Sequence, residues 1–205
     1  MENRSNQLIL FAKNPVYGYA KTRLAKEIGF SEANRFYRSL LNDNLRILNN
    51  NRWNCWLALS TRNYSRNKKN IFSQFEKNWI TFPQISGDIS EKMIHAIDRF
   101  HFGNIVLVGS DIPNIKQEYI CSAFIKLKSH EVVFGPSSDG GFWLIGINRH
   151  YFLNKINLRN IFASIRWSTR HTLGDILINC KKSKVSFIKK MTDIDNIQSY
   201  NKKNF

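Results

Sequence analysis

A run of aliphatic residues that stops on a carboxylate, Ile105-Val106-Leu107-Val108-Gly109-Ser110-Asp111-Ile112-Pro113, constrains this chain more than any other stretch. Four consecutive apolar residues suit a central parallel strand covered by helices on both faces. Gly109 and Pro113 bracket the stop, which puts Asp111 just past the strand's C-terminal end. In open α/β sheets that edge is where ligands bind. An acidic residue there, in a chain this basic, is a candidate ligand for a hard cation that in turn holds phosphates. Taken alone, a strand-end Asp reads equally well as the cap of a following helix, here one from about Lys116.

The charge narrows the partners. Lys and Arg number 31 against 15 Asp and Glu, a net +16, which attracts nucleotides, sugar phosphates, nucleic acid or an anionic membrane surface. The excess is spread along the chain beside abundant Asn. No zinc-finger spacing, RNP-like aromatic motif or basic heptad helix accompanies it, so no nucleic-acid partner is expected. With 42% hydrophobic residues and 15 Phe in 205, one domain over residues 1–205 is expected to bury a full core. Cys55, Cys121 and Cys180 lie far apart without C-x-x-C pairing, as free thiols in a reducing compartment would. The first apolar run is too short for a signal-peptide core, and no stretch approaches the ~20 apolar residues of a membrane span. The expectation is a cytoplasmic protein.

Leu8 to Ala12 reads as the first buried strand, followed by the basic loop Lys13-Asn14-Pro15-Val16-Tyr17-Gly18-Tyr19-Ala20-Lys21-Thr22-Arg23. Pro15 and Gly18 forbid regular structure there, and a helix opens at Lys21-Thr22-Arg23. A strand, a glycine-bearing loop and a helix start make a phosphate cradle, because free backbone N–H groups favour an anion. Lys13, Lys21 and Arg23 add mobile positive charge, and Arg23 can grip a phosphate through two bonds. The pattern is not a Walker A loop, and a solvated basic loop is the plain alternative. Further on, Ser31 is placed to cap a helix through Leu48, and Trp53 to Ser60 reads as the second strand. Arg62 to Lys69 reads as loop, Ile71 to Phe75 as a short helix, and Trp79 to Pro83 as a short strand. Asp88 followed by Glu91 has capping-box spacing for a helix ending near Phe100, with a ligand-facing role for Asp88 secondary.

After the central strand a helix is expected over Lys116 to Ser129 and a strand over Glu131 to Pro136. Asp139-Gly140-Gly141 then reads equally as a hairpin turn or as a loop whose backbone comes close to a ligand. Arg166-Trp167-Ser168-Thr169 offers hydroxyls and a cation in a loop or helix start. Val185 to Ile188 is a late strand. Asp193 and Asp195, before a final helix, are a second candidate cation ligand set, although Asp195 reads equally as an N-cap.

These pieces, in this order, resemble one family. Phe11-Ala12-Lys13-Asn14-Pro15, Gly18 and Lys21-Thr22-Arg23-Leu24 are similar to F-x-K-x-P-x-x-G-x-x-K-T-R-L. Gly87-Asp88 and Glu91-Lys92-Met93 are similar to G-D-L-G-E-R-M, and Gly109-Ser110-Asp111-Ile112-Pro113 to G-x-D-x-P. Gly135 to Gly146 is similar to G-P-x-x-D-G-G-Y-x-L-I-G, with Trp167-Ser168-Thr169 and Asp193-Ile194-Asp195 completing the set. They are the signatures of small bacterial GT-A-type transferases, long catalogued as a domain of unknown function and described as glycosyltransferases linked to radical-SAM or arsenosugar clusters. Molybdenum-cofactor guanylyltransferase and phospholactate guanylyltransferase are distant relatives. Phe142 stands where the family carries Tyr, removing one possible hydrogen bond to substrate.

The resemblance implies an α/β three-layer sandwich around a mostly parallel, doubly wound sheet of the nucleotide-diphospho-sugar transferase (GT-A, Rossmann-like) type. The loop carrying Lys13, Gly18, Lys21, Thr22 and Arg23 is expected to cradle a nucleotide's phosphates. Asp111 with Asp193 or Asp195 is expected to hold Mg²⁺ or Mn²⁺. Asp139 is the candidate for deprotonating an incoming hydroxyl. Asp88, Gly140, Gly141, Trp167, Ser168 and Thr169 are the candidates for the sugar or acceptor side. Glycosyl transfer from a nucleotide sugar to a small-molecule acceptor is the first expectation, since this first loop is bulkier than the L-x-A-G-G loop of nucleotidyltransferases. Nucleotidyl transfer from a nucleoside triphosphate, releasing pyrophosphate, is the second. A non-catalytic nucleotide- or polyanion-binding module is the third.

Overall fold

A computed structural model describes residues 6–60, 78–151 and 155–201. The expected loop at Arg62 to Lys69 and helix at Ile71 to Phe75 lie outside them. The strands are β1 (Asn6–Ala12), β2 (Asn54–Leu59), β3 (Trp79–Pro83), β4 (Asn104–Gly109), β5 (Val132–Pro136), β6 (Phe142–Asn148) and β7 (Val185–Phe187). The helices are α1 (Thr22–Ile28), α2 (Phe30–Leu48), α3 (Ile89–Asp98), α4 (Gln117–Lys126), α5 (Lys155–Ile161), α6 (Thr172–Asn179) and α7 (Ile197–Asn201).

The strands form one sheet in the order β3-β2-β1-β4-β6-β5-β7. β3, β2, β1 and β4 are mutually parallel, as are β5 and β7, while β6 runs antiparallel between β4 and β5. This is the expected mostly parallel α/β sandwich. Alternation along the strands sorts the core into two layers. Leu8, Leu10, Leu57, Val106 and Val108 face Tyr37, Leu41 and Leu45 of α2 and Ile120 and Phe124 of α4. Ile9, Ala58, Ile105, Leu107 and Phe134 face Met93 and Ile97 of α3, Leu158 and Ile161 of α5, and Ile176 of α6. Both faces are covered, which is why β1 and β4 read as unbroken apolar runs rather than alternating ones.

Two local expectations change. Ser31 does not cap α2: the helix starts one residue earlier, at Phe30, and Gly29 is its cap with φ 86 and ψ 149, backbone that only glycine adopts readily. Helices α5 and α6 were not legible in sequence, because both are short and α6 carries Gly174, a poor helix former. The Asp88 capping box forms in full. The Asp88 side chain accepts the Glu91 N–H at 2.9 Å, and the Glu91 side chain accepts the Asp88 N–H at 2.9 Å. All three cysteines are free, and no helix among the described residues is long and apolar enough to cross a membrane.

Trp143 on β6 is buried, and its indole N–H donates to the Lys189 carbonyl at 2.9 Å. Gly135 on β5 leaves it room, since a Cβ there would come within 2.6 Å of the indole ring. Gly135→Ala is expected to cost about 1–3 kcal/mol through overpacking. Urea denaturation checks this as a lower midpoint at unchanged slope.

Candidate functional site

The chain leaves β1 toward β2 on one side, while β4 lies on the other, so the β1–β4 crevice is the topological switch point of the sheet. The Lys13–Arg23 loop leaves the end of β1 there, and Asp111 follows β4. Because β6 is antiparallel, the turn between β5 and β6 brings Asp139 and Phe142 to the same edge. The segment after β7 reaches it too. The Met191 N–H donates to the Pro136 carbonyl at 3.0 Å and the Ile194 N–H to the Asp111 carbonyl at 3.2 Å. Asp193 and Asp195 arrive by this route.

Lys21 is the hub. Its Nζ lies 2.8 Å from Asp111 Oδ1 and 2.8 Å from Asp195 Oδ1. The lysine side chain is 3% exposed, whereas Asp111 and Asp195 are 44% and 49% exposed. Lys21 reaches inward because its backbone is left-handed, with φ 55, at the cap of α1. A non-glycine residue held there costs of the order of 1–3 kcal/mol and persists only where its surroundings over-determine it. Burial by itself would lower the Lys21 pKa, but the Asp111 and Asp195 charges outweigh it and hold the group above the ordinary lysine value. Burial would raise Asp195, but Lys21, with Lys13 and Arg23 behind it, holds that carboxyl below the ordinary aspartate value. Lys21, expected as mobile charge, is therefore a fixed cation.

Sequence reasoning missed Tyr37. Its buried hydroxyl accepts the Lys13 N–H at 3.0 Å, donates to the Lys13 carbonyl at 3.0 Å and lies 3.0 Å from Ser110 Oγ. Burial and the Asp111 charge push its pKa far above the ordinary tyrosine value, so it stays a donor. Asn44, one turn pair further along α2, donates to the Ser110 carbonyl at 3.0 Å. The signal for both was present: they are polar groups on the stripe of α2 that also carries Leu40, Leu41 and Leu45.

Two cavities meet at this edge. One, of about 300 Å³, is polar and lined by Lys13, Lys21, Thr22, Arg23, Tyr37, Asp111, Asp139, Ser168 and Asp195. The other, of about 230 Å³, is walled by Phe11, Ile89, Met93, Phe142, Trp143 and Trp167 and carries Asp111, Asp139 and Asp193. Asp111, Asp139 and Ser168 line both. Asp193 accepts from Ser137 Oγ at 3.2 Å, and burial with the nearby Asp139 and Asp195 charges raises its pKa. Of the expected sugar-side residues, Gly141, Trp167 and Ser168 line a cavity. Asp88 is occupied as a cap, and the Thr169 hydroxyl donates to the Arg166 carbonyl at 2.8 Å. Gly140 is required for another reason: a Cβ there would strike the backbone of Arg170. Asp195 is not the cap of α7, since Asn196 takes the Ser199 N–H at 3.0 Å. Nor does Asp111 cap α4, whose cap residue is Lys116.

The described residues contain no group of three or more His, Cys, Asp or Glu able to hold a metal. The Asp111–Asp195 pair still suits Mg²⁺ or Mn²⁺. Such ions take hard oxygen donors and commonly use one or two carboxylates completed by substrate phosphates. Each of these carboxylates gives one oxygen to Lys21 and is about half exposed to the cavity.

The uneven burial also orders the mutational effects. Removing both carboxylates strands a buried ammonium, whereas removing the ammonium leaves carboxylates that water can reach. The Asp111→Asn, Asp195→Asn double variant is expected to lose roughly 3 kcal/mol or more, and Lys21→Met clearly less. Chemical denaturation of the two variants side by side checks the order.

Comparison with known proteins agrees with this architecture. A proposed nucleotide-diphospho-sugar transferase from Desulfovibrio desulfuricans G20 superposes with a TM-score of 0.86 at 24% identity, over 96% of this chain and 85% of that one. A cytidylyltransferase from Leptospira borgpetersenii gives 0.62 at 13% identity, over 96% and 83%. A Mycobacterium tuberculosis H37Rv protein solved in complex with manganese gives 0.53 at 13%, over 96% of each chain. These likenesses show the fold. No curated protein matches the chain. The family described as an uncharacterized protein conserved in bacteria, DUF2064, matches residues 44–169, from within α2 to the Trp167-Ser168-Thr169 loop and including Asp111 and Asp139. With well over half of its length matched, this chain belongs to the DUF2064 family.

Proposed function

We propose that this protein is a divalent-metal-dependent transferase acting on a nucleotide-activated donor, and that it transfers a glycosyl group to a small-molecule acceptor. The observation that carries the reading is the Lys21 cation fixed between Asp111 and Asp195 at the switch point of the sheet, in one cavity with Lys13, Thr22 and Arg23. Lys13 and Arg23 bind and orient the diphosphate there, while Lys21 fixes Asp111 and Asp195 from beneath, and those two carboxylates would hold Mg²⁺ or Mn²⁺ against it. The bound ion supplies Lewis-acid neutralisation of the charge that develops on the leaving diphosphate. The acceptor oxygen bonds to the anomeric carbon as the bond from that carbon to the phosphate oxygen breaks. The electron pair leaves with the nucleoside diphosphate, and the acceptor's proton passes to the Asp139 carboxylate. Asp139 suits that role because it lines both cavities and is oriented by the Gly141 N–H at 2.9 Å.

Nucleotidyl transfer is the second reading, favoured by the likeness to the Leptospira cytidylyltransferase. Released products separate the two: nucleoside diphosphate from nucleotide sugars, or pyrophosphate from triphosphates. Under either chemistry Asp111→Asn is expected to lower turnover by about 10²-fold or more, the scale of losing one strong electrostatic stabiliser. Nucleotide binding without turnover, indifferent to Asp111→Asn, would instead support a binding module.

A further inference from the structure

The smaller cavity has carboxylates but none of the cations that balance them in its neighbour, where Lys13, Lys21 and Arg23 accompany Asp111, Asp139 and Asp195. No Lys, Arg or His lines it. The Asp111 charge is met by Lys21, but Asp139 and Asp193 have no cationic partner among the described residues. Asp139 takes the Gly141 N–H and Asp193 takes the Ser137 hydroxyl. Phe11, Met93, Phe142 and Trp167 line the same cavity as these carboxylates. Trp167 is held in place edge-on to Phe142, with centroids 6.3 Å apart, and tilted on Phe162 at 6.1 Å. A volume of about 230 Å³ has room for a ring-sized fragment rather than a polymer.

We propose that this cavity is the acceptor site and takes an uncharged or cationic hydroxyl compound with an apolar face, excluding phosphorylated acceptors. The inference rests on the transferase reading above and refines it. A phosphate dianion entering here would meet two uncompensated carboxylates, a like-charge juxtaposition that proteins use to reject wrong partners. A sugar or aromatic ring keeps its apolar face on the aromatic wall and turns its hydroxyl to Asp139, and an ammonium group gains from both the carboxylates and the ring faces. Donor phosphates and acceptor are thus sorted by charge to opposite sides of Asp111 and Asp139. The attacking group is then a hydroxyl rather than a phosphate.

Two probes sharing one ring test this: 4-nitrophenyl β-D-glucoside, which is neutral, and 4-nitrophenyl phosphate. Each is titrated into the whole protein and read at the indole N–H signals of Trp143 and Trp167, first alone and then with a saturating nucleoside diphosphate and Mn²⁺. The glucoside is expected to bind at least about tenfold more tightly than the phosphate, and to keep doing so when nucleotide is present. Ile89→Lys, at the half-exposed rim of the cavity, is expected to narrow that ratio by admitting the phosphate. Equal or tighter binding of the phosphate, absence of binding by both probes, or displacement of the glucoside by nucleotide overturns the proposal. Failure of the nucleotide itself to bind counts against the donor reading alone, because the probe ratio is measured first without it.

Discussion

A buried lysine ammonium cannot be withdrawn from water alone, and this fold is arranged around meeting that requirement. Lys21 brings together the first loop of the chain, the turn after its central strand and the segment after its last strand, with one partner, Asp195, 174 residues away. Tyr37 and Asn44 tie the same point to α2 through Lys13 and Ser110. The cation is the buried member and the carboxylates face the cavity. The cluster therefore presents its acidic oxygens to the cavity while its positive charge stays fixed beneath them.

That arrangement divides the sheet edge by charge. On the β1 side Lys13, Arg23 and Lys21 share a polar recess with the carboxylates that balance them, and on the β6 side Asp139 and Asp193 line a cavity with aromatic side chains and no cation. The net +16 of the chain is thus a poor guide to its individual cavities. The reversed direction of β6 makes the division possible, because it brings the β5–β6 turn and Phe142 to the edge where the parallel strands end.

Much of the fold was legible because β1 and β4 are unbroken apolar runs, which only a sheet covered on both faces demands. Asp111 was legible for the same reason, as the abrupt end of such a run. The role of Lys21 was not. Nothing in Ala20-Lys21-Thr22 announces that a non-glycine residue will adopt φ 55 and turn its side chain inward, and its partner Asp195 is remote in sequence. Ser31 misled because a serine ahead of an apolar helical stripe usually caps it, whereas here Gly29 supplies the turn between α1 and α2. In sequence, Asp139-Gly140-Gly141 fits a hairpin turn and a close approach to ligand equally well. The structure gives it the turn, a cavity-lining Gly141, and a Gly140 packed on the Arg170 backbone.

We propose that the Lys21–Asp111–Asp195 cluster binds nucleotide phosphate and metal together, the ion arriving with its nucleotide. Paramagnetic broadening by Mn²⁺ tests it most directly, read in amide spectra with and without a panel of nucleoside diphosphates. The account predicts weak, diffuse broadening by Mn²⁺ alone, and sharp loss of the signals around Asp111 and Asp195 once the right nucleotide is added. Intact signals there in the presence of Mn²⁺ and every nucleotide, or broadening centred elsewhere on the molecule, would contradict it.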